Sequence, residues 1–121
     1  MSTHPVVHIE LSAKNLAEAA RFYEELFGWK TELIPAMDYA TFSAEGGPGG
    51  GFNQVTNDNP AGTVLVYIDS DDVTADLAKA EKLGGKIILR KTEIPQMGWF
   101  GVFEDPTGNH LGLFQNMPGQ M

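Results

Sequence analysis

The sequence predicts an α+β fold built from two tandem modules, each with the order strand, helix and three strands. Apolar side chains that alternate with period two mark the candidate strands, and apolar side chains at helical spacing mark two candidate helices. The two halves also superpose with an offset of 57 residues, which aligns Leu11 with Ile68 and Gly28 with Gly85. A repeat of this length indicates units that bury their apolar faces by packing together or against a second chain.

The first module is predicted over about residues 4–56 and begins with an alternating strand at 6–11. A helix should follow, because Asn15 and Glu18 form a capping box and Gly28 supplies a stop signal after the last apolar residue. The three later strands of this module are predicted at residues 30–34, 39–44 and 52–55.

The second module, about residues 62–116, repeats this order. A β-branched and aromatic strand is predicted at 63–68. The helix after it should be capped within Asp69–Asp72 and end at Gly84-Gly85. Its last three strands are predicted at residues 86–91, 99–103 and 111–115.

Length and charge restrict the class of protein. A chain of 121 residues is one domain, 1–121, and it is large enough for a hydrophobic core. Its net charge of −8 disfavours binding to nucleic acid. The absence of cysteine fits a reducing compartment, and the sequence shows neither a signal-peptide pattern nor a membrane-spanning run. We therefore expect a soluble cytoplasmic protein that contacts neither nucleic acid nor a membrane.

Three motifs carry a family resemblance. They are V-V-H-I-E-L at 6–11, R-F-Y-E-E-L-F-G-W-K at 21–30, and E-D-P-T-G-N-H-L-G-L-F-Q at 104–115. With the two βαβββ modules, they resemble the vicinal oxygen chelate superfamily, which includes glyoxalase I, bleomycin-resistance proteins and extradiol dioxygenases. The resemblance implies a curved mixed sheet around a cleft, a small-molecule ligand and a homodimer.

The resemblance also implies four positions for metal ligands, on the first and last strands of each module. His8 occupies the first position, whereas the others fall near Gly51, on Thr63 or Leu65, and on Gly112. Divalent ions of this kind prefer imidazole and carboxylate ligands, and glycine has no side chain. We therefore expect no metal or other cofactor; the alternative is a divalent-metal-dependent lyase or dioxygenase of the same superfamily.

The glycines at these positions allow two interpretations. Removing side chains at Gly51 and Gly112 could clear volume for an organic ligand. Alternatively, the glycines could relieve strand curvature. The run Gly46–Gly51 fits no phosphate-binding motif and predicts a flexible loop at the mouth of the cleft.

His8 and Glu10 share one face of the first strand and are the candidate catalytic acid/base pair, although such neighbours can equally be a polar surface. The resemblance and strand parity together give the candidate ligand-binding residues. They are Asn53, Thr63, Leu65, Tyr67, Trp99, His110 and Phe114. Tyr67 and Trp99 also have an ordinary interpretation as packing residues.

The function that the resemblance implies is that of a glyoxalase/bleomycin-resistance-like protein. It would bind a small, partly aromatic molecule in a central cleft without a metal, and could have lyase or isomerase activity. A non-catalytic module that sequesters a drug or has a regulatory role is the alternative from another class.

Overall fold

Eight strands and two α-helices make up residues 2–118, the part of the chain that this computed structural model describes. The first half contains β1 (Val6–Ala13), α1 (Leu16–Phe27), β2 (Lys30–Ile34), β3 (Tyr39–Ser43) and β4 (Gly49–Gln54), with a short 3₁₀ helix at Pro35–Met37. The second half contains β5 (Val64–Asp69), α2 (Val73–Lys82), β6 (Lys86–Ile94), β7 (Gly98–Glu104) and β8 (His110–Asn116). The predicted α+β class with two βαβββ modules is confirmed.

The chain divides into two compact units. One is Val7–Leu65, called here the first unit, and the other joins the residues before Val7 to those from Val66 onward, called here the second unit.

The first unit has a four-stranded mixed sheet in the order β2-β3-β4-β1. Strands β1 and β4 are parallel, whereas β3 pairs antiparallel with both β2 and β4. Helix α1 covers one face of this sheet, where Ala40, Phe42 and Phe52 are buried and Tyr23 packs against them. These apolar contacts form the core of the unit.

The ends of α1 follow the predicted signals. The Asn15 side chain accepts a hydrogen bond from the Glu18 backbone N–H at 2.9 Å, so the N-cap is formed. At the other end Gly28 has a φ of 72°, and its N–H donates to the Glu24 carbonyl. A left-handed residue at this point is the usual way to end a helix, and glycine adopts it without strain.

The second unit has the strand order β5-β8-β7-β6. Strands β5 and β8 are parallel, and β7 pairs antiparallel with β6 and β8. Helix α2 begins after Asp72, whose side chain accepts from the Ala75 N–H at 3.1 Å, and it buries Val73 and Leu77 against Leu113. Each unit therefore has a helix on one face of its sheet.

The glycine-rich run differs from the prediction. Gly49, Gly50 and Gly51 belong to β4, so the expected flexible loop is wrong for these three residues. A Cβ atom at Gly50 would lie 2.0 Å from the Ile9 carbonyl oxygen on the paired strand. Glycine is needed here because the backbones approach closely, which a loop prediction based on composition overlooks.

The first residues of the described chain bond to the second unit and not to the module that follows them in sequence. Ser2 N–H donates to the Asp71 carboxylate at 2.6 Å, and the Asp69 N–H donates to the Pro5 carbonyl at 2.9 Å. The boundary between units therefore falls inside β1, whereas the sequence placed the start of the first module at about residue 4.

Neither of the two α-helices within residues 2–118 is long and apolar enough to cross a bilayer.

Candidate functional site

The first unit carries a polar sheet face on the side opposite α1. Because side chains alternate along a strand, Ile9 of β1 and Phe52 of β4 point to α1, and their neighbours His8, Glu10 and Asn53 point to the other side. The register pairs Tyr39 of β3 with Asn53, which brings the phenol to this same face. All four of these polar residues are half-buried.

The four polar side chains form a continuous hydrogen-bond network. The Tyr39 hydroxyl lies 2.7 Å from Nε2 of His8 and donates to Oε2 of Glu10 at 2.9 Å. The Asn53 amide donates to the other carboxylate oxygen, Oε1, at 3.3 Å. The network joins His8 to Glu10 through Tyr39, so the two predicted catalytic residues are linked indirectly.

His8 has an altered proton affinity. Burial lowers the pKa of His8, because a charged imidazolium loses solvation in this partly enclosed position. A neutral imidazole can accept a proton, so the residue is suited to act as a base near neutral pH.

Tyr39 was not among the predicted site residues. Its sequence context predicts a strand, but its place beside His8 depends on how β3 registers with β4. Cross-strand register is set by the whole sheet and cannot be derived from the local pattern alone. The available signal was the shared parity of Tyr39 with the polar residues Thr41 and Ser43 along β3.

The space over Gly51 is filled by the Tyr39 ring. A Cβ atom built on Gly51 would lie 1.9 Å from the Tyr39 hydroxyl oxygen and 2.1 Å from Cζ. The missing side chain therefore makes room for a protein residue. Of the two interpretations that the sequence allowed, the free volume for a ligand is absent at Gly51 because Tyr39 occupies it, and relief of curvature stays a prediction.

The second unit has a similar arrangement at Gly112. Tyr67 is buried, and a Cβ atom on Gly112 would lie 2.5 Å from its Cδ1. The Tyr67 ring centroid is 6.4 Å from that of Phe100, which pairs across the sheet with Phe114. The sheet face of this unit that lies away from α2 is thus aromatic.

Trp99 lies on the opposite side of β7 from Phe100. Its neighbour Gly101, two residues on, faces Val73 and Leu77 of α2, and strand alternation gives Trp99 the same side. The Lys91 ammonium sits 4.7 Å from the Trp99 ring centroid. The predicted residue Trp99 therefore lies on the α2 side of the sheet, and Phe100 is the aromatic residue of β7 that lies near Tyr67.

The other predicted ligand-binding residues, Thr63, Leu65 and His110, do not belong to the hydrogen-bond network described above. The Thr63 hydroxyl donates to the Pro60 carbonyl at 2.6 Å, so it satisfies a turn, and Leu65 is half-buried in β5. His110 is exposed at the start of β8, with Nε2 2.9 Å from a Glu104 carboxylate oxygen. A role in ligand binding stays a prediction for all three.

Comparison with known proteins identifies the family. The model of the glyoxalase/bleomycin resistance protein/dioxygenase superfamily matches residues 6–113. The chain belongs to this superfamily.

Two relatives and one solved structure show how far this superfamily likeness extends. A glyoxylase-like domain-containing protein from Didymella fabae is 33% identical over 109 residues, which are 84% of this chain and 85% of that protein. The anthracycline biosynthesis protein DnrV of Streptomyces peucetius is 28% identical, and the match covers 88% of this chain but only 45% of DnrV. A superfamily member from Vibrio splendidus superposes with a TM-score of 0.66 at 14% identity, covering 94% and 100% of the two chains.

The residues at the superfamily's metal-ligand positions do not fit a divalent ion. Gly51 and Gly112 each lie beneath a tyrosine ring, so neither position has space for a ligand side chain. The Nε2 atom of His8 is engaged by Tyr39. Within residues 2–118, no three His, Cys, Asp or Glu side chains are grouped so that they could hold a metal ion.

Proposed function

We propose that this protein binds a small, partly aromatic, oxygenated organic molecule without a metal, and that His8 acts as the base in a lyase or isomerase reaction on it. The observation that carries the proposal is the network of His8, Tyr39, Glu10 and Asn53 on the polar sheet face of the first unit. The network includes His8, which is the first of the metal-ligand positions that the family resemblance implies. A base that is held by hydrogen bonds can take a proton without the help of a metal.

The second unit, taken by itself, has an aromatic sheet face. Tyr67, Phe100 and Phe114 share the sheet face away from α2, and the last two are half-buried. Aromatic side chains of this kind contact planar apolar groups well. One relative is named for anthracycline biosynthesis, so polycyclic aromatic compounds of that class belong among the probes.

The net charge of −8 limits the charge of the ligand. A strongly acidic protein repels anions at long range and attracts cations. We expect a neutral or cationic ligand, and phosphate-bearing molecules should bind weakly.

The test is a thermal-shift screen of purified protein against α-oxoaldehydes, glutathione adducts and anthracyclines, followed by a turnover assay on each compound that binds. A true ligand raises the melting temperature in a concentration-dependent way. For a compound that is turned over, His8→Ala should lower kcat by about 10²–10⁴-fold, which is the usual contribution of a positioned base.

The matched control is His4→Ala, which removes an exposed imidazole from the second unit. It should leave kcat unchanged. If His8→Ala also leaves kcat unchanged, His8 is not the base. Tight binding with no turnover of any compound would support sequestration in place of catalysis.

The proposal includes a homodimer in the cytoplasm. Support comes from the absence of cysteine in the whole chain and from the assembly common among superfamily members. Light scattering of the untagged protein at several concentrations should give twice the monomer mass of 13.1 kDa, and a constant monomer mass would contradict the dimer.

A further inference from the structure

We infer that Tyr39 and Glu10 are positioning residues that hold His8 in the tautomer with the proton on Nε2, so that Nδ1 is the atom that accepts the substrate proton. This inference rests on the proposed function for its chemical meaning, but its structural content can be tested alone. It changes the role of Glu10, which the sequence suggested as one member of a catalytic acid/base pair.

The proton count along the network fixes the tautomer. A tyrosine hydroxyl has one proton, and Tyr39 donates it to Oε2 of Glu10 at 2.9 Å. The contact of 2.7 Å between the Tyr39 oxygen and Nε2 of His8 then needs a proton from the histidine. In a neutral imidazole only one ring nitrogen has a proton, so Nδ1 carries the lone pair.

The network is held in place by the sheet. The planes of the Tyr39 and His8 rings are nearly parallel, with an angle of 15° between them, and the ring centroids are 6.4 Å apart. The absence of a side chain at Gly51 lets the phenol reach this position. Asn53 donates to the second oxygen of Glu10, which fixes the orientation of the carboxylate.

This arrangement assigns a task to each group in a proton transfer. A C–H bond next to a substrate carbonyl breaks, its proton forms a bond to Nδ1, and the electron pair remains on the substrate as an enolate. The imidazolium that results is stabilised by Glu10 through the Tyr39 hydroxyl. Where the substrate has a β,γ double bond, the enolate is conjugated, and return of the proton from Nδ1 to the γ carbon completes an isomerisation and restores the neutral ring.

The test is a long-range ¹H–¹⁵N correlation spectrum of the ligand-free protein labelled with ¹⁵N-histidine, recorded above the pH at which imidazoles are charged. The His8 signals are assigned by their loss in His8→Gln. We expect a protonated Nε2 and an unprotonated Nδ1. In Tyr39→Phe the ratio of Nε2–H to Nδ1–H tautomers should fall by about five- to tenfold, since one hydrogen bond is lost.

Tyr23→Phe is the matched control, because Tyr23 packs against Trp29 and Phe52 on the α1 side of the same sheet. It should leave the His8 spectrum unchanged. Glu10→Gln supplies a second variant, in which weaker acceptance from Tyr39 should also lower the Nε2–H population.

The Nδ1–H tautomer in the wild-type protein, or a wild-type ratio in both Tyr39→Phe and Glu10→Gln, would overturn the inference. The spectrum needs no ligand or turnover. Failure of the tautomer assignment is therefore distinguishable from failure of the proposed function, which the compound screen measures.

Discussion

Tyr39 and Gly51 form a complementary pair at the centre of the polar face. The phenol takes the volume that any side chain at position 51 would need, and it uses that place to reach both His8 and Glu10. Position 51 therefore requires glycine because the Tyr39 ring fills the space above it. The function of Gly51 follows from this contact and does not depend on backbone flexibility.

A double-mutant cycle should measure this pair. Gly51→Ala forces the Tyr39 ring to move, because the new Cβ would overlap it, and we expect a loss of about 1–3 kcal/mol in the free energy of unfolding. In a Tyr39→Ala background the same change should cost much less. Urea unfolding of the four proteins gives the coupling energy, and strictly additive effects would show that the ring does not occupy this space.

The lowered pKa of His8 predicts a pH-dependent stability. The unfolded chain protonates His8 near its ordinary pKa of 6.5, whereas the folded protein resists protonation because the ring is partly buried. Stability from this residue is therefore complete above pH 6.5 and declines as the pH falls toward the lower folded pKa. The Tyr39 hydroxyl contacts the ring, and Glu10 accepts a hydrogen bond from that hydroxyl.

The measurement is the melting temperature of wild-type protein and His8→Gln across this pH range. The variant should lose less stability between neutral and mildly acidic pH than the wild type does. Parallel curves for the two proteins would contradict the role of burial.

The sequence predicted part of this site and missed its central residue. Strand alternation was enough to place His8, Glu10 and Asn53 on one face, because parity is a local property. The position of Tyr39 depends on the pairing of β3 with β4, and the side of β7 on which Trp99 lies depends on the position of α2. Both positions depend on tertiary structure, which the periodicity of the sequence does not determine.

At the scale of elements, helix termini were the most predictable features. The capping signals at Asn15, Gly28 and Asp72 act within one helical turn. They can therefore be recognised in the sequence without knowledge of the tertiary structure. Strand limits were less predictable: β6 was predicted at 86–91, but it continues to Ile94. Pairing with a neighbouring strand, and not the side chains alone, determines where a strand stops.

The N-cap of α1 gives a prediction at this scale. Asn15→Ala removes the acceptor for the Glu18 N–H and should lower the free energy of unfolding by about 1 kcal/mol. Asn57→Ala, in an exposed bend of the same unit, is the matched control and should have a smaller effect. Equal effects in chemical denaturation would show that the cap contributes nothing specific.

At the scale of the whole molecule, two units with the same order of elements carry different sheet faces. The first unit presents hydrogen-bonding groups, and the second presents aromatic rings around Tyr67 and Phe100. The repeat was visible in the sequence because both halves keep the same apolar spacing. The chemical difference between the two sheet faces was only partly predictable from the sequence, because strand register determines which side chains come together on each face.

The whole protein should bind no divalent metal at a stoichiometric level. The superfamily's ligand positions lack donor side chains at Gly51 and Gly112, and acidic surface groups alone bind divalent ions weakly. Elemental analysis of untagged protein, followed by calorimetric titration with Zn²⁺, Mn²⁺ and Ni²⁺, checks this expectation. One tightly bound ion per chain would contradict it and would favour the metal-dependent alternative.

The contact between Tyr39 and Gly51 also restricts the mutational paths open to this lineage. A side chain at position 51 needs the space that the Tyr39 ring fills, so a glutamate there could serve as a ligand only if the ring were absent. Loss of the ring alone would remove the hydrogen bonds that Tyr39 makes to His8 and Glu10. We expect libraries that vary positions 39 and 51 together to yield folded variants with a large side chain at position 51, which libraries that vary position 51 alone do not yield.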